Sequence, residues 1–402
     1  MKKNIPFSIL IFVLLSVYCS HNKNANRNIE SNSLELHFPE SGEDTLKASY
    51  FADTVIYITL ETTKESYIQH INQLWMDESV ILISSFNSGL IMFGQNGNFI
   101  RQIGKNGRGP GEYLSILHFD VIKDTIYISS TGKRGFLRYT FDGTFCDEIN
   151  LNYQPAYFSS TIDQKLACYE HAEGKVYVYN KNLYQPPDTI TVEYGVTIGR
   201  HRWIQVLNSG YNYLQKTTTG LLFNSFLSDT VWNIVGDKKE PAFILNMRDK
   251  LLPYDKQIEF SNGDFEGFNQ MANPYNFVHL IPFSSLIFIF QLHHTIYAND
   301  SGYDAIHLLN TKTGEIRKFS TNYIYEDILS KIKLSNERLE FFYPIYSPDY
   351  LVTSKNPIDV LNYFDQNKRN GIEIPSQSWI NQMKTLKEDD NPIIVKIKIK
   401  KN

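Results

Sequence analysis

Short stretches in which apolar and polar residues alternate cover most of the chain, and two of them repeat. Residues 90–103 align without a gap with residues 136–149, at a spacing of 46. Each copy contains an apolar strand, a turn with Asn-Gly or Asp-Gly, and a second strand; these dipeptides supply the positive φ values that tight hairpins need. The strand before each hairpin repeats as well, since residues 80–82 correspond to residues 126–128. A β-hairpin unit with a period in the forties is typical of a propeller blade.

Weaker copies of the strand pattern follow towards the C-terminus. Their strand pairs lie at residues 165–169 with 175–182, 220–223 with 229–236, 286–290 with 307–318, and 343–347 with 350–354. Tyr and Phe, with 26 residues each, favour pleated, half-buried surfaces and agree with this interpretation. We therefore predict an all-β chain that folds as a six-bladed β-propeller.

Two stretches near the C-terminus follow a helical spacing instead. Residues 325–341 carry apolar residues among Asp, Glu and Lys, and residues 379–387 end shortly before Asn391-Pro392. We predict short helical insertions in both places. Residues 54–60 and 393–400 alternate as strands do, and we expect these segments from the two chain ends to complete the closing blade.

The first residues have the form of a secretory signal. Two lysines precede a broken apolar stretch, residues 5–17, that is too short for a permanent membrane helix. Cys19 follows, and residues 14–19 resemble the cleavage box of bacterial lipoproteins, in which this Cys receives the lipid. Tyr18 departs from the small residue that usually precedes the Cys. An ordinary signal peptide with an incidental Cys19 is the alternative.

We divide the chain into three regions. Residues 1–19 are predicted as a lipoprotein signal peptide, residues 20–48 as a flexible tether and lead-in, and residues 49–402 as the propeller. A lipid on Cys19 would make the membrane a partner of the protein. No acidic run follows Cys19. We expect a lipid-anchored protein of the cell envelope, at the outer membrane and facing the periplasm.

Charge and cysteine content exclude some classes of protein. The formal charge of −4, from 39 basic and 43 acidic residues, gives no strong field, so we expect no nucleic-acid partner. Three cysteines are too few for a disulfide scaffold or a cysteine-based zinc site. Cys146 and Cys168 either pair in an oxidising compartment or remain buried small apolar residues.

The chain resembles the six-bladed β-propeller lipoproteins of Gram-negative envelopes, which are related to NHL-repeat propellers. The residues that carry the resemblance are 57–63, 93–97, 103–113, 229–232 and 390–392. The Gly-rich run within residues 103–113 is the most specific of them. The resemblance implies the fold and export of the protein. It does not imply an activity, because related NHL propellers include binding modules and a few lyases.

Two pairs of cations are the first candidates for ligand binding. Lys105 and Arg108 lie in the Gly-rich run, where backbone N–H groups and cations could meet an anionic ligand at the channel mouth. The alternative is a tight crossing between blades that needs Gly for its backbone angles. Lys133 and Arg134 are expected on the same face of the propeller, with a solvated turn as the alternative.

Histidines are the second kind of candidate. His279 and His307 could line the central channel, although a lone His is commonly a structural residue with its hydrogen bonds satisfied. The sequence contains no His-Glu-x-x-His and no Gly-x-Ser-x-Gly motif. We assign no catalytic residue, no metal and no cofactor.

The sequence thus favours a non-catalytic binding or scaffold module. It would bind a small ligand, glycan, peptide or protein at the mouth of the propeller channel. The alternative is a lyase or hydrolase that acts on a carbohydrate or peptide there. An enzyme would need His and carboxylate side chains to converge from several blades, which a sequence cannot show.

Overall fold

The computed structural model describes most of the chain after residue 33. The described residues are 34–86, 88–155, 157–170, 173–180, 183, 185–192, 214–217, 220–224, 229–247, 276–283, 286–293, 303–321, 323–335, 349–374 and 376–400. Cys19 and the predicted signal peptide lie outside them.

The described chain begins with three strands and one turn of helix. These elements are β1 (Leu34–His37), β2 (Leu46–Lys47), a 3-10 helix (Ala48–Tyr50) and β3 (Ala52–Ile58). Leu36, Leu46 and Ala48 are buried, so these residues, which we grouped with the tether, pack onto the folded body.

Blades 1 to 3 are four-stranded antiparallel sheets formed by consecutive strands. Blade 1 contains β4 (Gln73–Met76), β5 (Val80–Ser85), β6 (Gly89–Gly94) and β7 (Phe99–Ile103). A two-stranded ribbon follows, β8 (Lys105–Asn106) with β9 (Glu112–Tyr113). Blade 2 contains β10 (Ile116–Ile122), β11 (Thr125–Ser130), β12 (Gly135–Tyr139) and β13 (Phe145–Asn150). Blade 3 contains β14 (Tyr157–Ser160), β15 (Leu166–Glu170), β16 (Lys175–Tyr179) and β17 (Asp188–Thr191).

Blades 4 and 5 repeat this arrangement. Blade 4 contains β18 (Leu214–Lys216), β19 (Leu221–Phe223), β20 (Thr230–Val235) and β21 (Lys238–Asn246), and β1 pairs with β21 as a fifth, parallel strand. Blade 5 contains β22 (Asn276–Pro282), β23 (Leu286–His293), β24 (Tyr303–Asn310) and β25 (Ile316–Phe319).

Blades 6 and 7 combine strands from the two ends of the chain. Blade 6 contains β26 (Tyr323–Glu326) and β27 (Ile332–Ser335), with β2 parallel to β26. Blade 7 contains β28 (Tyr350–Lys355), β29 (Ile393–Ile399) and β3. Between β28 and β29 lie α1 (Pro357–Arg369) and α2 (Gln377–Met383).

Apolar contacts connect each sheet to the next one and close the ring. Separate buried clusters join blades 1 and 2, blades 2 and 3, blades 4 and 5, and blades 5 to 7. Tyr169 and Phe223 connect blades 3 and 4, with ring centroids 4.9 Å apart. A further cluster joins Val352 and Ile394 of blade 7 to blade 1. The described sheets therefore form a seven-bladed propeller.

The prediction of six blades is wrong, and the reason lies in residues 323–335. We predicted a helix over residues 325–341, but residues 323–335 form the β26–β27 hairpin of blade 6. The buried carboxylate of Glu326 accepts hydrogen bonds from the N–H groups of Ile328 and Leu329, both at 2.7 Å, and so builds the turn. The apolar residues of this tight turn and the strand after it have a spacing that is also typical of a helix. Residues 336–341 of that prediction lie outside the described residues.

The prediction of the closing blade is confirmed. β3 pairs antiparallel with β29, from Ile58 opposite Ile394 to Thr54 opposite Lys398. The predicted helix at Trp379 is also present as α2, whose N-terminus is capped by the Ser376 hydroxyl. α1 was not predicted. No helix in the described segments is long and apolar enough to cross a membrane.

Candidate functional site

The predicted cations of blades 1 and 2 lie at one end of these sheets. The β5–β6 hairpin, the β11–β12 hairpin and the crossing from β7 to β10 emerge there because strands alternate in direction. The Thr131 N–H donates to the Ser115 carbonyl at 2.9 Å, which joins the second hairpin to the crossing. We call this surface the upper face; it comprises Tyr67, Phe86 and residues 88–89, 104–117 and 130–134.

The Gly-rich crossing is shaped by the carboxylate of Glu112. Its Oε2 accepts a hydrogen bond from the Gly109 N–H at 2.8 Å. A Cβ atom at position 107 would lie 2.0 Å from that same oxygen, so another residue there would displace the Glu112 side chain, and Gly104 and Gly111 have left-handed φ angles of +70° and +68°. The interpretation of this run as a tight crossing that needs Gly is therefore supported by its geometry.

Two buried tyrosines hold the crossing against the core. The Tyr113 hydroxyl donates to the Ile103 carbonyl at 2.7 Å and accepts from the Leu90 N–H at 3.1 Å. The Tyr139 hydroxyl donates to the Gly111 carbonyl. Burial raises the pKa of Tyr113, so its hydroxyl remains a donor at neutral pH. The backbone that carries Lys105 and Arg108 is fixed at several points.

The four predicted cations share the upper face but differ in their surroundings. Lys105, Arg108 and Arg134 are exposed. The ammonium of Lys133 pairs with Glu148 at 2.8 Å, and both side chains are partly buried. Within the described part of the chain, the side chains of Lys105, Arg108 and Arg134 make no hydrogen bond or ion pair. The structure thus presents three uncompensated cations.

Exposed apolar side chains accompany these cations, and the sequence analysis did not identify them. They are Phe86 (69% exposed), Tyr67 (48%), Leu117 (44%) and Leu114 (43%). The Ser88 hydroxyl donates to the Tyr67 carbonyl at 2.6 Å, which places Tyr67 beside the hairpin that carries Phe86. The available sequence signal was position: Phe86 occupies a hairpin tip, and Leu114 directly follows the Gly-rich run.

Of the two predicted histidines, only the side chain of His307 is among the described atoms, and it does not lie on this surface. His307 lies on β24, the third strand of blade 5, and is 1% exposed. Its ring packs edge-on against Phe38 of the lead-in, with centroids 4.8 Å apart. The main chain of His279 belongs to β22, and its side chain is outside the described atoms. His307 is therefore a packing residue rather than a group presented at the mouth.

A second polar arrangement follows the axis of the ring. β4, β10, β14 and β18 contact one another in succession, so they are the innermost strands of blades 1 to 4. Gln73 Nε2 donates a hydrogen bond to the Phe119 carbonyl at 2.6 Å, and Gln73 Oε1 accepts one from the Phe119 N–H at 2.9 Å. Nε2 of His118 lies 2.8 Å from the Phe158 carbonyl, and Gln215 donates to the Leu280 carbonyl. Side chains of inner strands thus connect blade 1 to blade 2, blade 2 to blade 3 and blade 4 to blade 5.

Asp120 and Lys216 are electrostatically coupled within this arrangement of inner strands. The Ser159 hydroxyl donates to Asp120 Oδ2 at 3.1 Å, and Lys216 Nζ donates to the Ser160 hydroxyl at 2.7 Å. Burial raises the pKa of Asp120 to about 6, although the charge of Lys216 acts against this shift. Burial also lowers the pKa of Lys216, against the effect of Asp120. The sequence analysis missed this cluster because its residues come from three blades.

The two arrangements differ in what they expose. Ser159 and Ser160 are buried, so neither presents a nucleophile to a substrate. Among the described residues, no three His, Cys, Asp or Glu side chains gather as metal ligands would. The upper face, in contrast, exposes charge and apolar area on a rigid backbone. It is the better candidate for an interaction site.

Comparisons with known proteins agree on the fold. A solved structure from Bacteroides fragilis NCTC 9343, described as a candidate exported protein, superposes with a TM-score of 0.68 and 16% sequence identity. That match covers 92% of this chain and 99% of the other. At this identity, the similarity establishes the fold alone.

Other similarities are weaker. Virginiamycin B lyase from Staphylococcus aureus matches with a TM-score of 0.37 and 10% identity, covering 67% of this chain and 77% of that one. A DUF4623 family protein from Bacteroides eggerthii matches with a TM-score of 0.39 and 10% identity, covering 90% and 78%. No curated protein matches the sequence. A family model described as a domain of unknown function, DUF4934, matches residues 35–398.

Proposed function

The chain belongs to the DUF4934 family, a family without a described function, and we propose that it is an exported, lipid-anchored binding module of the cell envelope without catalytic activity. The upper face is its contact surface. The observation that carries this proposal is the combination of three uncompensated cations with four exposed apolar side chains on one rigid surface. Exposed apolar groups that cluster in this way are typical of interaction sites.

The proposed address rests on the N-terminal sequence. A charged start, a short apolar stretch and Cys19 together favour export and lipidation at the outer membrane, facing the periplasm. The similar protein of Bacteroides fragilis is itself described as a candidate for export. The relationship to NHL-repeat propellers remains part of this proposal.

Lipidation is tested separately from binding. Cells that express the full chain are labelled with a radioactive fatty acid, and the label is expected on wild type but not on Cys19→Ser. Label on both proteins, or on neither, would refute the lipid anchor. Fractionation of the same cells reports whether wild-type protein reaches the envelope.

Binding is tested by comparing two triple variants in envelope extracts. One carries Lys105→Glu, Arg108→Glu and Arg134→Glu on the upper face. The matched control reverses three exposed lysines elsewhere, at Lys238, Lys368 and Lys384. We expect chemical crosslinking to recover a defined partner with wild type and with the control, but not with the upper-face variant. Equal recovery with both variants, or substrate turnover by the purified protein, would overturn the proposal.

A further inference from the structure

We propose that the upper face docks an acidic protein segment that carries aromatic or aliphatic side chains. This inference rests on the binding role proposed above and names the class of partner. It follows from the charge that the upper face leaves exposed and from its apolar area.

The fold leaves the charge of the upper face positive. Its residues include four cations and one carboxylate, that of Glu112. Glu112 is turned inward onto the Gly109 N–H, and Glu148, which lies on the adjoining β13, is bound to Lys133. Both nearby carboxylates therefore bind groups of the protein itself, whereas Lys105, Arg108 and Arg134 remain exposed. Such a surface attracts an anionic partner.

The apolar side chains favour a protein segment over a simple polyanion. Phe86 is 69% exposed, and Tyr67, Leu114 and Leu117 expose between 43% and 48% of their surface. A partner that contributes carboxylates alone would leave this area in water. Aromatic and aliphatic side chains of a peptide would bury it and supply most of the affinity.

The backbone of the surface is organised before any partner binds. The hydroxyls of Tyr113 and Tyr139 bind main-chain carbonyls at the two ends of the crossing, and the Glu112 carboxylate binds a main-chain N–H inside it. The Gly132 backbone at the tip of the second hairpin lies against Leu114: a Cβ at position 132 would be 3.7 Å from Leu114 Cδ1. A surface fixed in this way loses little conformational entropy on binding.

The probe is a short peptide in which Glu alternates with Phe and Leu, compared with a peptide in which Lys replaces each Glu. Binding to the purified propeller is measured by calorimetry at physiological ionic strength. We expect the acidic peptide to bind, and the Lys105→Glu, Arg108→Glu, Arg134→Glu variant to bind it about tenfold or more weakly. Phe86→Ser with Leu114→Ser should weaken it comparably. The control with reversed charges at Lys238, Lys368 and Lys384 should bind as wild type does.

Several results would overturn the inference. They are no binding of the acidic peptide, equal binding of the Lys peptide, binding of polyglutamate as tight as that of the peptide, or binding of phosphatidylglycerol vesicles in preference to it. A change in the melting temperature of the variants would be detected by calorimetry and separates misfolding from lost contact. If the peptide fails while crosslinking still depends on the upper face, the proposed function stands and the class of partner is wrong. If both fail, the proposed function fails as well.

Discussion

Asn391 Oδ1 accepts a hydrogen bond from the main-chain N–H of Ile68 at 2.7 Å. Its amide nitrogen donates to the carbonyls of Glu61 and Ser66, each at 2.9 Å, and its own N–H donates to the Thr62 hydroxyl at 2.8 Å. The side chain is 1% exposed. Asn391, which precedes the last strand, thus satisfies four polar groups of the segment that connects blade 7 to blade 1.

Asn391→Ala should therefore destabilise the protein strongly. The substitution removes the side-chain partner of the Ser66 carbonyl and of the Ile68 N–H, whereas the Glu61 carbonyl keeps the Ser66 hydroxyl as a donor, and we expect a loss of about 3 kcal/mol in the free energy of unfolding. Urea denaturation measures it. The matched control is Asn370→Ala, at the exposed end of α1, which should change the stability by less than about 1 kcal/mol. Equal effects of the two substitutions would refute the role assigned to Asn391.

Gly97 and Gly143 occupy equivalent positions of the repeat and have φ angles of +85° and +84°. Their surroundings differ, because a Cβ at Gly97 would lie 2.0 Å from the Thr59 carbonyl oxygen, whereas the nearest atom at Gly143 is 3.6 Å away. Gly143→Ala should cost about 1–2 kcal/mol for the left-handed backbone. Gly97→Ala should cost about 2 kcal/mol more, since the backbone at Thr59, directly after β3, must move. A smaller loss at Gly97 than at Gly143, measured by thermal unfolding, would contradict this.

His118 and Asp120 should give opposite dependences of stability on pH. Burial lowers the pKa of His118 to about 4, so the unfolded chain binds the extra proton and stability rises as the pH increases from about 4 to 6.5. Burial raises the pKa of Asp120 to about 6, so the folded chain binds the extra proton and stability falls as the pH increases from 3.8 to about 6. In the wild type the two effects largely cancel.

Single substitutions separate the two effects. Asp120→Asn should leave a stability that rises with pH across this interval, and His118→Gln should leave one that falls, each by at most about 1.4 kcal/mol per pH unit for one proton. Denaturation midpoints at a series of pH values provide the measurement. The groups that face Asp120 across the seam, Ser159, Ser160 and Lys216, stay unchanged in both variants. Slopes of the same sign would show that the assignment is incorrect.

The two cysteines of the propeller should react very differently. Cys146 and Cys168 are both free; Cys146 is exposed, and Cys168 is buried. Burial raises the pKa of the Cys168 thiol, which Tyr153 only partly offsets. A thiol reagent should therefore label Cys146 in the folded protein and Cys168 only after unfolding. Rapid labelling of Cys168, followed by mass spectrometry, would disagree with this packing.

Local patterns were sufficient where one blade repeats another. The hairpins of blades 1 and 2 have the register that the repeat predicts, with Phe93 opposite Phe99 and Tyr139 opposite Phe145. Blade 6 was missed because its turn depends on the buried Glu326 carboxylate, and no local pattern distinguishes such a turn from a helical one.

The candidate site was predictable only in part. Lys105 and Arg108 were expected from the Gly-rich run, and Lys133 and Arg134 from a Gly-containing turn, since Gly and charged residues mark exposed connections. Its apolar members were not, because exposure of Phe86 or Leu117 depends on the neighbouring blade rather than on adjacent residues. The Asp120–Lys216 coupling joins residues that are distant in the sequence and becomes visible only when the strands are placed around the axis.

The pairing of β3 with β29 has a consequence for how the protein is made. Strand β3 is synthesised early, but its partner Ile393–Ile399 is synthesised almost last. Until that strand has been synthesised, blade 7 lacks its middle strand, and the ring of sheets stays open with an exposed strand edge on each side. A nascent chain therefore cannot close its ring of blades before its last residues have been synthesised.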